Sequence, residues 1–262
     1  MTLRLDGKTA LVTGAATGIG RAITDRLVAD GALVLAGDVD ITGLHAVAAA
    51  HGDRVRIAGC DVTDEASVEA LAAMAGPLGG LDIAVANAGK GAYGLLVDHS
   101  LESWQEIIDL CLTGVFLTLK HAGRVMSDGG SIVNIASLNA IQPAEGMAAY
   151  CAAKAGVAML TQVAAMELGH RQIRVNTVAP GLVQTNATGA FFMVPGVVEE
   201  FVENTTLGRF AQPNEIADLV AFLVSAESAY ISGGFYSIDG GASTKRYPDL
   251  PGAFARMAAP PA

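Results

Sequence analysis

The stretch TGAATGIG, Thr13 to Gly20, follows a short apolar run at 8–13 and opens a segment of helical period. In a strand–turn–helix, Gly14 permits the tight turn, Gly18 lets the backbone approach a pyrophosphate, and Gly20 lets the helix pack closely. The helix amino end favours the anion. Thr17 and Ile19, between and beside these glycines, join the expected contacts of a nucleotide. Glycines in this pattern also make plain turns, so the argument rests on the strand before them and the helix after them.

Outward from this turn, Val-, Ile- and Leu-rich runs near 8–13, 32–38, 54–60, 82–86, 131–135, 173–178 and 235–238 read as strands. Helical periods fall between them, near 19–30, 41–51, 64–75, 101–126, 147–169 and 213–225. Such βα alternation predicts a Rossmann-like α/β fold, a doubly wound parallel sheet of seven strands with helices on both faces. Right-handed crossovers place the ligand crevice beyond the carboxyl ends of the strands. No linker or repeat divides the chain, so residues 1–241 are expected to form one catalytic domain. Within it, 186–206 carries Phe191, Phe192, Met193 and Val194 together and reads as a substrate lid. Residues 242–262, with four prolines and no period, read as a C-terminal tail serving as an arm or an oligomer contact.

Composition narrows the function. Of 262 residues 52% are apolar and 16% charged, which excludes a disordered chain or a long coiled coil, and leaves a large core. Glycine reaches 31 residues against 14 aromatics (8 Phe, 5 Tyr, 1 Trp), so some glycines must do more than make turns. A net charge of −10 argues against nucleic acid, anionic membranes or an acidic carrier protein as partner, and favours a small ligand. Cys60, Cys111 and Cys151 show no C-x-x-C, and the five histidines, His45, His51, His99, His121 and His170, show no ligand spacing. No metal site is expected; the histidines read as surface or loop residues, and the compartment as reducing and cytoplasmic, without an export signal. The Ala-rich run Met147 to Met166 contains Tyr150, Lys154 and Gln162, so it reads as a buried helix rather than a membrane span.

Several residues after strands carry chemistry. Asp38 ends the second strand, where a dinucleotide fold places the carboxylate that binds ribose hydroxyls. That charge repels a 2′-phosphate, and Thr17 offers no compensating cation, so NAD(H) is favoured over NADP(H). Asp61 and Val62 read as an adenine-edge contact and wall, with Asp61 equally suited to cap the next helix. Tyr150 and Lys154 lie four apart on one helix face, where an ammonium can favour the phenolate and make a general acid and base. Ser137, just past the fifth strand, adds a hydroxyl able to polarise a carbonyl oxygen, or to cap a turn.

Taken in order, TGAATGIG, the DVT from Asp61, the NAG from Asn87, NIAS ending at Ser137, YCAAK from Tyr150, NTVAPGLVQT from Asn176 and the IDGG ending at Gly241 resemble a short-chain dehydrogenase/reductase of the single-domain branch. The resemblance implies that Tyr150 exchanges a proton with the substrate oxygen. Lys154 would lower the phenol pKa and hold the nicotinamide ribose, and Ser137 would orient the substrate. It implies cofactor contacts at Asn87, Ala88 and Gly89, a nicotinamide pocket at Pro180 and Gly181, and carboxamide contacts at Val183 and Thr185. A homotetramer is also implied, with the long fourth and fifth helices as its interface. One departure is Cys111, in LCLTGVF, where the family carries an asparagine that holds a relay water; a thiol is the weaker hydrogen-bond partner. Ala86 likewise stands where many relatives have asparagine.

The function expected is therefore an NAD-dependent interconversion of a secondary alcohol and a ketone, on a substrate made largely hydrophobic by the lid and by Leu138, Ala140, Ile141 and Pro143. A 3-oxoacyl-[acyl-carrier-protein] reductase is the alternative enzyme, disfavoured by Asp38 and the acidic surface. A non-catalytic nucleotide-binding sensor or scaffold, motivated by Cys111, is the alternative of another class.

Overall fold

Seven parallel strands form one sheet in the order β3-β2-β1-β4-β5-β6-β7 in a computed structural model that describes residues 4–258. The strands are β1 Thr9–Thr13, β2 Leu33–Asp38, β3 Val55–Gly59, β4 Leu81–Ala86, β5 Met126–Ile135, β6 Arg174–Pro180 and β7 Phe235–Ile238. Between them run α1 Gly18–Ala29, α2 Ile41–His51, α3 Glu65–Ala73, α4 Leu101–Ile108, α5 Gly114–Val125, α6 Ala148–Leu168, α7 Gly189–Met193, α8 Val197–Glu203 and α9 Pro213–Val224. Helix α10, Leu250–Ala258, follows β7.

The two-residue period of a strand divides the core. Ala10 and Val12 of β1 face one layer with Ile23 and Leu27 of α1, Leu44 of α2 and Ile216 and Leu223 of α9. Leu11, one position away, faces the other layer with Leu71 of α3, Val115 of α5 and Val157 of α6. Both faces are thus covered, which is why these strands read as unbroken apolar runs. In β1 all five residues are buried. Each Leu or Ile that is fully withdrawn from water contributes roughly 1.5–3 kcal/mol.

Strand order reverses at β1, which pairs with β2 on one side and β4 on the other: Val12 lies opposite both Ala36 and Val85. The loops after β1 and β4 therefore diverge, and a crevice opens above the carboxyl ends of the strands.

Four expectations need correction. The helix expected over 101–126 is interrupted by a π-helical turn at Asp109–Thr113, a distortion that inserts a residue and is common near functional sites. Strand β5 starts at Met126 rather than 131, with Met126 buried and paired with Leu81. The tail is not an arm standing apart from the core: α10 forms, and Leu250 is buried against Val197 and Phe201. His121, expected at the surface, is buried, with its Nε2 3.0 Å from Glu65 Oε1. Cys60 is buried as expected. Among the described residues no helix is long and apolar enough to cross a membrane.

Candidate active site

The glycine turn is held by its neighbours across the strand-order switch. Gly14 and Gly18 adopt φ of 65° and 55°, left-handed conformations that a side chain strains. A Cβ on Gly14 would lie 2.9 Å from the Ala88 Cα and the Asn87 amide nitrogen. One on Gly20 would lie 1.9 Å from the Gly14 carbonyl oxygen. The close packing expected of Gly20 is therefore made against the turn itself. Asn87 braces the same turn, its Nδ2 donating to Thr13 O at 3.0 Å and Gly14 O at 3.1 Å. Helix α1 opens at Gly18 with no side-chain cap from Thr17 and no acidic residue in its first turn. Amides at that end are left for an anion.

Asp38 closes the next corner. Its Oδ2 accepts from Ala16 N at 2.9 Å and its Oδ1 from Asp40 N at 2.9 Å, which aims the carboxylate along the turn. Of the two readings of Asp61, helix capping falls to Asp64, whose carboxylate accepts from Ala66 N at the start of α3. Asp61 instead closes its own turn onto Thr63, with bonds of 2.9 Å from the amide and 2.7 Å from the hydroxyl, and lines the crevice beside Val62.

From this corner a continuous cleft of about 550 Å³ runs to the far end of the strands. It is lined by Gly14, Thr17, Gly18, Ile19, Asp38 and Val62 at one end. Asn87, Ala88, Gly89, Pro180, Gly181, Val183 and Thr185 line its middle, and Ser137, Tyr150 and Lys154 lie deeper in. Two expected residues sit behind the wall. Gly20 packs beneath the turn, and Cys111 is fully buried in the π-helical turn, its Sγ donating to Lys90 O at 3.3 Å.

Ser137 follows β5; its Oγ accepts from Asn139 N at 3.2 Å as the cap of a 3₁₀ turn, and it also hydrogen-bonds Tyr150. Lys154, one turn along α6 from Tyr150, is buried; its Nζ donates to Ile135 O at 2.9 Å and lies 5.6 Å from the Tyr150 ring centroid. A Cβ on Gly89 would lie 3.4 Å from both the Lys154 Nζ and the Cys111 Sγ, so ammonium and thiol both border this glycine.

Burial dominates the electrostatics. It pushes the Tyr150 phenol above its ordinary value, the nearby Cys111 thiol adds to the rise, and the Ser137 hydrogen bond opposes it. Burial pushes the Lys154 ammonium down, with Cys111 opposing. Burial therefore favours the neutral phenol and opposes the lowering expected from the Lys154 ammonium.

The substrate end was only partly legible. Phe191 of the lid lines the cleft, whereas Phe192, expected beside it, packs edge-on against Phe210 at 5.2 Å. Phe201, also within the lid segment, lines it; Asn139, Met147 and Tyr247 line it and were missed. The single signal for Tyr247 is an aromatic residue in an otherwise polar stretch of the tail.

Comparison with known proteins agrees with this architecture. The family described as Enoyl-(Acyl carrier protein) reductase matches residues 14–243. The chain is 40% identical over 244 residues to a 3-alpha-(or 20-beta)-hydroxysteroid dehydrogenase of Mycobacterium bovis, covering 92% of this chain and 91% of that protein. It is 41% identical over 250 residues to a D-threitol dehydrogenase of Mycolicibacterium smegmatis, covering 92% and 95%. A short-chain type dehydrogenase/reductase from Mycobacterium ulcerans superposes with a TM-score of 0.91 at 31% identity, covering 98% and 95%. With fold, motif order and near-full-length relatives in agreement, the chain belongs to the short-chain dehydrogenase/reductase family and is an oxidoreductase acting on CH–OH groups.

Proposed function

We propose that this oxidoreductase is NAD(H)-dependent and interconverts a secondary alcohol and a ketone on a largely apolar frame, with Tyr150 as general acid and base. The observation that carries the reading is the convergence of Ser137, Tyr150 and Lys154 in a cleft continuous with the glycine turn and Asp38. A nicotinamide dinucleotide, when bound, supplies the hydride chemistry. The chain's residues fit it: Gly14 and Gly18 leave room that a Cβ would fill, and the uncapped first turn of α1 suits a pyrophosphate. Asp38 would hold the ribose hydroxyls, Asp61 and Val62 the adenine, and Asn87, Ala88 and Gly89 the middle of the molecule. Pro180, Gly181, Val183 and Thr185 would meet the carboxamide end.

For the reaction itself, Ser137 holds the substrate oxygen in place. Tyr150, whose phenol burial keeps in the protonated form further into alkaline pH, donates to a carbonyl oxygen during reduction and takes the proton back during oxidation. Lys154 supplies positive charge that stabilises the phenolate as it forms, held in position by Ile135 O. Cys111, in the position of the family asparagine, gives the ammonium a thiol neighbour in place of an amide. Apolar lining from Met147, Leu182, Phe191 and Phe201 supports a hydrophobic substrate body.

A reductase acting on an acyl carrier protein is the second reading, suggested by the description of the matching family. Asp38 and the −10 net charge weigh against its usual NADPH and acidic carrier. Three free cysteines support a reducing compartment such as the cytoplasm. The homotetramer is supported by apolar side chains left exposed on α5 and α6, among them Phe116, Met159 and Met166.

A panel of ketones of graded size, followed by loss of NADH absorbance, tests the reading; cofactor binding without any turnover would leave a sensor or scaffold instead. The cofactor choice has its own test. Asp38→Ala removes the charge that repels a 2′-phosphate, and is expected to narrow the ratio of NAD(H) to NADP(H) efficiency by about tenfold or more. An unchanged ratio in steady-state kinetics would remove Asp38 from that role.

A further inference from the structure

Tyr247 reaches the cleft from the segment after β7, and that segment is fixed on both sides of it. Gln142 Nε2 donates to Lys245 O at 2.7 Å, Lys245 Nζ donates to Glu203 O at 2.7 Å, and Asp249 N donates to Glu200 Oε2 at 2.6 Å. The tail is thereby tied both to the loop after Ser137 and to the end of α8. The Tyr247 ring meets Phe201 edge-on, centroids 5.6 Å apart at 83°, and Phe201 meets Phe191 at 5.8 Å. All three rings line the cleft.

In this apolar corner the Tyr247 hydroxyl makes only long contacts among the described residues, 3.4 Å to Asn139 Oδ1 and 3.8 Å to Met147 Sδ. A well-formed O–H···O bond spans about 2.5–3.0 Å. Asn139 Oδ1 is served no better by Ser137, whose Oγ also lies at 3.4 Å. A phenol and an amide oxygen therefore face the cleft with hydrogen-bonding capacity to spare, in surroundings where unsatisfied polar groups are costly. Burial pushes the Tyr247 phenol up to about 12, so it remains a donor throughout the neutral range. The two phenols lie within electrostatic reach of each other.

We propose that Tyr247 is a specificity-determining residue whose hydroxyl binds a second substrate oxygen, distinct from the reacting oxygen at Ser137 and Tyr150, so that the preferred substrate carries two oxygen functions on an apolar frame. Asn139 accepts from that second oxygen when it is a hydroxyl, and Tyr247 donates to it when it is a carbonyl or a hydroxyl. This deepens the dehydrogenase reading above and rests on it.

The test compares ketones on one skeleton: hexan-2-one against hexane-2,3-, 2,4- and 2,5-dione, and cyclohexanone against cyclohexane-1,2-dione, with wild type and Tyr247→Phe. Phenylalanine keeps the ring against Phe201 and removes the hydroxyl alone. Wild type is expected to prefer at least one dione over its monoketone by about tenfold in kcat/KM, the worth of one or two hydrogen bonds. Tyr247→Phe is expected to erase that preference, lowering kcat/KM on the favoured dione about tenfold more than on its monoketone, mainly through KM. A preference that survives the substitution, no preference in wild type, or an equal loss on diones and monoketones would each overturn the proposal while leaving the dehydrogenase reading intact. Failure of wild type to reduce any ketone would overturn both.

Discussion

Tyr150→Phe is expected to bind NADH as wild type does and to lose about 10³-fold or more in kcat, since a positioned general acid–base contributes roughly 10²–10⁴ and no other hydroxyl replaces it. The ring and its place on α6 are retained, so the loss is confined to the proton. Ser137 keeps its hydrogen bond to Asn139 N in the variant and can still hold a carbonyl oxygen, but its hydroxyl is far too weak an acid to substitute. Fluorescence titration with NADH separates binding from turnover, and activity within a few-fold of wild type would remove Tyr150 from the mechanism.

The same residue sets the pH dependence. Burial holds the Tyr150 phenol above its ordinary value, so the protonated form persists through neutral pH. Alcohol oxidation needs the phenolate, so its rate is expected to climb as pH rises through the neutral and mildly alkaline range. Ketone reduction uses the protonated phenol and is expected to decline only at more alkaline pH. Profiles of kcat in both directions check this, and an oxidation rate that falls over about pH 7 to 9 would contradict the assigned role.

What could be read from the chain is what depends on neighbours in sequence. The glycine turn, Asp38 at a strand end and Tyr150 with Lys154 on one helix face are local patterns, and all of them line one cleft because the topology gathers strand ends. What escaped depends on contacts between distant segments. Tyr247 lines the cleft beside Lys245, whose carbonyl and ammonium are held by Gln142 and Glu203, far away in sequence. Phe192 turned from the cleft because Phe210 offered an edge-to-face partner, and no periodicity in a short lid reveals that. The burial of Tyr150 escaped for a related reason. Spacing reveals the ammonium four residues on, but not the burial that weakens ammonium and phenolate alike. The π-helical turn that sets Cys111 behind the wall leaves the apolar pattern of 101–126 nearly continuous, and so has no signature in the sequence.

Gly20→Ala is expected to be the most damaging one-carbon change in the chain that leaves every catalytic side chain in place. The added Cβ would stand 1.9 Å from the Gly14 carbonyl oxygen and 2.5 Å from the Asn87 amide nitrogen, far inside contact distance, and the first of these is backbone. Relief requires α1 to move off the turn or the turn to move off β4. Moving α1 disturbs the apolar layer of Ile23 and Leu27, whereas moving the turn breaks the Asn87 bonds to Thr13 O and Gly14 O. Overpacking a well-filled interior costs about 1–3 kcal/mol, and the cost here is expected at about 3 kcal/mol or more because neither side can swing away as a side chain would. Either route also displaces the amides at the start of α1, so NADH affinity is expected to fall by at least about a hundredfold, the loss of some 2.7 kcal/mol of anion contacts. Gly169→Ala is the control. Nothing lies within 4 Å of its added Cβ and its φ is −59°, so it is expected to be neutral or stabilising by about 0.4–1 kcal/mol. Urea unfolding and NADH titration of the two variants separate the effects: equal stability of both would mean that the turn has slack the geometry does not contain, whereas a large loss only at Gly20 ties the glycine excess of this chain to the turn from which the fold was read.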